Sequence, residues 1–80
     1  MEIFNDGMIV KDGIVYEAGK DTPFTGVRVA KLGDSMAEVT YKDGKKNGET
    51  KLYIDGKILQ KIIFSDNKKK LSIKYDKNGN

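Results

Sequence analysis

Apolar and polar residues alternate along most of this chain. Leu71, Ile73 and Tyr75 fall on one side of an extended segment, Ser72 and Lys74 on the other. Val39 and Tyr41 share a side, as do Ile62 and Phe64 one unit later. A period of two is the signature of a strand, whose successive side chains point to opposite faces. No internal segment fits helical spacing better than it fits alternation. The alternating runs are punctuated by Asp6-Gly7, Asp12-Gly13, Asp43-Gly44, Asn47-Gly48, Asp55-Gly56 and Asn78-Gly79. Asp-Gly and Asn-Gly suit the two positive-φ positions of a type I′ turn, which matches the twist of the strands it joins.

These signals predict an all-β fold: a single antiparallel meander sheet of about five or six strands built from repeated β-hairpins. The expected strands are Ile14 to Tyr16, Thr25 to Leu32, Met36 to Lys42, Asn47 to Ile54, Lys57 to Phe64 and Lys69 to Tyr75. A loop carrying Gly19 and the single proline, Pro23, separates the first two. Residues Asp76 to Asn80 form a tail expected to fray.

The hairpins repeat. Gly26 and Gly48 are 22 residues apart, as are Tyr53 and Tyr75. The run Met36 to Asp43 overlays Leu59 to Asp66 at a spacing of 23. Two strands of five to seven residues and two turns fill such a unit. The chain divides into an N-terminal segment, residues 1–12, and about three repeats over residues 13–80, all within one domain.

One strand alternates poorly. Strict period two from Lys57 to Phe64 places Ile58, Ile62 and Phe64 on one face, Leu59 and Ile63 on the other. A strand apolar on both faces wants cover on both. The candidates for that cover are the segment Met1 to Val10 or a partner.

Composition narrows the chemistry. Eighty residues make one small domain with a thin core. The chain has no Cys, hence no disulfide and no thiolate site, and no apolar run of membrane-spanning length. Glu2 and Asp6 stand where a signal peptide carries its basic and apolar regions, so a soluble, cytoplasmic protein is expected. The formal charge is +3, and Arg28 is the one Arg among fifteen cations. Phosphate and base readout favours the planar guanidinium. Scattered Lys instead keeps a sheet soluble and blocks edge pairing.

Gly13-Ile14-Val15-Tyr16, then Pro23-Phe24-Thr25-Gly26, then Tyr41-Lys42-Asp43-Gly44-Lys45 with Asn47-Gly48-Glu49, and finally Tyr53-Ile54-Asp55-Gly56-Lys57, resemble the bacterial variant of the MORN repeat over residues 12–80. The pattern departs at Gly33-Asp34-Ser35 and at Asn67-Lys68, where an Asn-Gly turn is expected. The resemblance implies an elongated antiparallel sheet of hairpins without established catalytic residues. Some members resemble antitoxin or immunity components. Eukaryotic relatives of the repeat are associated with protein scaffolding and with membrane lipids.

The residues themselves speak against catalysis. The chain has no His and no Cys, which removes the usual general base near neutral pH and the usual zinc ligands. Seven of the twelve carboxylates sit in expected turns, where Asp bonds its own backbone. Asp76 to Asn80 echoes the start of a calcium loop, but the bidentate Glu at the twelfth position is missing from the chain. A non-enzyme with no cofactor, metal or small-molecule substrate is expected. The expected role is a protein–protein interaction module, an antitoxin or immunity component among its forms, with a protein partner or a second copy in a homodimer. Leu59 and Ile63 are the expected contacts, with Tyr53 and Phe64 as aromatic anchors. The alternatives are a nucleic-acid or anionic-lipid surface binder through Lys and aromatic side chains, and a self-associating structural module.

Overall fold

The structure is a computed structural model that describes residues 2–3 and 7–76. Among the described residues the chain forms eight strands and no helix. Three short strands, β1 (Glu2–Ile3), β2 (Ile9–Lys11) and β3 (Ile14–Tyr16), make a small antiparallel sheet. Five longer ones, β4 (Gly26–Leu32), β5 (Ser35–Lys42), β6 (Lys45–Ile54), β7 (Lys57–Ser65) and β8 (Lys68–Lys74), follow in sequence order as an antiparallel meander. The all-β meander of repeated hairpins is therefore present. The segment Ile14 to Tyr16 belongs to the smaller sheet, so the first edge of the meander is β4. The expected Asn78-Gly79 turn lies outside the described residues.

The turns explain why hairpins form where Asn-Gly is absent. Asp12-Gly13, Asp43-Gly44 and Asp55-Gly56 have positive φ at both residues, as a type I′ turn requires. Asp66 and Asn67 do the same at φ 49° and 68°, because short polar side chains tolerate the left-handed region. Gly33-Asp34 takes the other solution. Gly33 has φ 59° while Asp34 does not share the positive sign, the mark of a type II′ turn with Gly first.

The turns also stack. At one end Gly44 donates from its N–H to the carbonyl of Phe24 at 2.8 Å. One unit later Asn67 donates to the carbonyl of Lys46 at 2.9 Å. At the other end Asp55 donates to the carbonyl of Asp34 at 3.0 Å. The repeat extends to the side chains. Tyr41 stands opposite Gly26, with the Phe24 ring edge-on to it at 5.8 Å. Phe64 stands opposite Gly48, with the Lys46 ammonium 5.1 Å from its centroid. The glycine leaves room above the strand, and a ring or a cation two residues earlier occupies it.

The small sheet docks through backbone. The Val15 N–H donates to the Gly44 carbonyl at 2.8 Å, and the Phe24 N–H to the Val15 carbonyl at 2.9 Å. Ile9 and Val10 pair with β3, so the described part of the N-terminal segment seals an end of the meander instead of covering β7. Val15 and Tyr41 are the buried apolar residues among those described. Among the described residues, β4 to β8 form a single open layer. The chain exposes 5664 Å², against ~4,800 Å² for a compact monomer of this mass.

Thr50 is also buried, between Val39 of β5 and Ile62 of β7, and its hydroxyl has no hydrogen-bond partner. An unpaired buried hydroxyl costs about 1–3 kcal/mol of desolvation. Thr50→Val keeps the branched shape that a strand favours. It should raise stability by about 1 kcal/mol or more in urea melts, and a loss of stability would mean the hydroxyl has a partner in solution.

Candidate functional site

Cross-strand register sorts the meander into two faces, because residues directly opposite in antiparallel strands share a face. One face carries Ala30 and Leu32 of β4, Ala37 and Val39 of β5, Thr50, Leu52 and Ile54 of β6, and Gln60 and Ile62 of β7. The opposite face carries Val27 and Val29, Met36 and Glu38, Lys51 and Tyr53, Lys61 and Ile63, and Leu71 and Ile73.

Three bulges shape these faces. The decisive one lies in β7, where Leu52 pairs with Gln60 but Tyr53 already pairs with Ile58. Leu59 is the extra residue. An extra residue inverts the facing of everything beyond it. Leu59 thereby joins the face of Leu52 and Ile54, while Ile58 joins Tyr53 and Ile63. The expectation that Leu59 and Ile63 share a face is thus corrected: a one-residue bulge separates them. No spacing rule in the chain announces a bulge without a glycine.

The bulge completes a groove. Ala30, Leu32, Ala37, Leu52, Ile54 and Leu59 line an open apolar depression of about 570 Å³ near the Gly33-Asp34 and Asp55-Gly56 turns. Alanines at 30 and 37 stand directly opposite each other and form its floor on the β4–β5 side. The larger side chains rise around it. Leu32 is 85% exposed, Ile54 42% and Leu59 39%. Arg28 and Lys31 lie at its border. Leu32 and Ile54 were not singled out in the sequence. Each ends its strand beside a turn, where the alternation alone does not say whether a second layer follows.

The other expected contacts scatter. Phe64 is half-buried on the groove's face, five residues further along β7 under Lys46. Tyr53 and Ile63 are half-buried on the opposite face. That face is laced with charge. Lys61 meets Glu49 at 3.3 Å, and Glu38 stands opposite Lys51. Tyr53 is held above the ordinary phenol value, by partial burial first, then by its hydrogen bond to Glu38 and by the charges of Glu38 and Glu49. All three effects favour the neutral phenol, which donates to the carboxylate.

Among the described residues no three acidic, His or Cys side chains gather closely enough to hold a metal ion. Comparison with protein-family models, with curated proteins and with solved structures gives no match. The chemistry available in the groove is apolar contact, with a basic border.

Proposed function

We propose that this protein is a non-catalytic protein-binding module whose partner occupies the groove of Leu32, Ile54 and Leu59. The observation that carries this reading is the exposed apolar groove in a sheet over which the described residues place no second layer. An apolar depression lined by large side chains gains most when a partner removes it from water. The resemblance to bacterial MORN-like repeats fits such a role, and an antitoxin or immunity component is the form of it we favour. Of the four residues expected from the sequence, Leu59 keeps its place as a contact. Tyr53, Ile63 and Phe64 serve the sheet itself in this reading.

The test uses the exposure of Leu32. Leu32→Glu should leave the fold intact, since so exposed a side chain contributes little packing. Tagged wild-type protein from its native host should carry one stoichiometric protein partner, identified by mass spectrometry. Leu32→Glu should lose it. Leu71→Glu, also exposed but on the opposite face, should retain it. Equal capture by all three proteins would overturn the groove as the contact. Absence of any co-purifying protein from wild type would overturn the module reading.

A further inference from the structure

We propose that two copies of this chain pair antiparallel along β4, across a two-fold axis at Val29, to give a continuous ten-stranded sheet. The inference is independent of the groove reading, because it uses the edge of the sheet and not its face.

The two edges of the meander differ. β8 presents Lys68, Lys69, Lys70 and Lys74, and its ladder with β7 is interrupted by a bulge. Lysine and bulges are the devices that keep edges apart. β4 has neither protection in that degree. Its seven residues pair with β5 in an unbroken register, whereas the other three ladders of the meander each carry a shift. It contains no proline, and Val27 and Val29 stand 56% and 53% exposed along it. A long, regular, apolar edge is a template for another strand.

The direction of its backbone groups follows from the turn. Leu32 and Ser35 flank a two-residue turn, so they form a hydrogen-bonded pair. Alternate residues inherit that role, and Ala30 and Arg28 bond to β5. Val27, Val29 and Lys31 therefore aim their N–H and C=O groups outward.

Those outward groups suit a copy of the same strand. With the two-fold axis at Val29, all seven residues pair. Val29 meets Val29 of the partner copy, Val27 meets Lys31, and Arg28 meets Ala30. No like charges stand directly opposite. The corresponding pairing of β8 about Leu71 sets Lys68 opposite Lys74 at both ends. Two-fold pairing at β4 also consumes the exposed edge in both copies and closes the assembly at two. Because opposite residues share a face, both grooves open on the same side of the joined sheet.

Sedimentation equilibrium on the full chain is the test. Wild type should sediment at twice 8.9 kDa, with the monomer appearing on dilution. Val29→Lys sets two ammonium groups opposite each other and should halve the mass. Val29→Glu should do the same with carboxylates. An equimolar mixture of the two variants should recover the dimer mass, which neither an unfolded variant nor a loss of packing can do. Wild type monomeric at all concentrations would overturn the proposal, as would a Val29→Lys protein that stays dimeric or a mixture that stays monomeric. A dimer abolished by Leu32→Glu but not by Val29→Lys would place the second copy in the groove instead.

Discussion

Gly44→Ala should cost more than about 3 kcal/mol of stability, a large share of the ~4–12 kcal/mol expected for a domain of 80 residues. Gly44 is buried at φ 80°, in the turn that receives the small sheet. A Cβ there meets the Ile14 side chain and lies 2.8 Å from the Val15 carbonyl oxygen. Neither neighbour yields easily. The Val15 carbonyl accepts the Phe24 N–H, and the Val15 N–H donates to Gly44 itself. Moving β3 aside therefore breaks the backbone bonds that join the two sheets. The left-handed backbone adds ~1–2 kcal/mol for any residue with a Cβ. Gly56→Ala isolates that second contribution, since Gly56 has φ 77° and nothing within 4 Å of an added Cβ. Urea melts of the two variants should differ by about 2 kcal/mol or more, with the loss of the small sheet visible as fast amide exchange at Val15. Equal losses would mean that Gly44 matters for its φ alone.

Asn67→Ala should cost about 2–4 kcal/mol, and Asn67→Gly about 1 kcal/mol less. The Asn67 side chain replaces a stretch of strand. Its Oδ1 accepts the Lys46 N–H at 2.8 Å, and its Nδ2 donates to the Gly13 carbonyl at 3.0 Å. Its own N–H reaches the Lys46 carbonyl. One side chain thus ties the β2–β3 turn, the start of β6 and the β7–β8 turn together. Alanine loses both side-chain bonds and keeps the strain of φ 68°. Glycine loses the bonds and relieves the strain. Asn67→Asp keeps the acceptor and should protect the Lys46 amide from exchange better than either. If alanine and glycine are equally destabilising, the backbone conformation of Asn67 contributes nothing. If neither costs more than 1 kcal/mol, the three turns are not coupled through this amide.

Asn67 shows where sequence reading stops. In the chain, Asn67-Lys68 looks like a damaged Asn-Gly turn. Its tolerance of positive φ is legible from residue type. Its bonds to Lys46 and Gly13 are not, because those partners lie 21 and 54 residues away. Gly33-Asp34 is the reverse case. Gly at the first turn position already encodes type II′, so that hairpin follows from the residues once the second turn type is considered.

Local chemistry, read from the sequence alone, determined the class of this fold: alternation sets the strands, and turn residues with positive φ set the hairpins between them. It also determined the repeat, since residues 22 and 23 apart perform the same task in Gly26 with Tyr41 and Gly48 with Phe64. Tertiary structure decided the rest. A bulge of one residue at Leu59 chose which apolar side chains share a face, and so built the groove from Leu32, Ile54 and Leu59. The docking of Gly44 against Val15 placed the first strands in a separate sheet and left β4 as an open edge. Both choices depend on long-range register. A period of two predicts a face only relative to a starting point, and a bulge or a change of sheet resets that point without changing the local pattern.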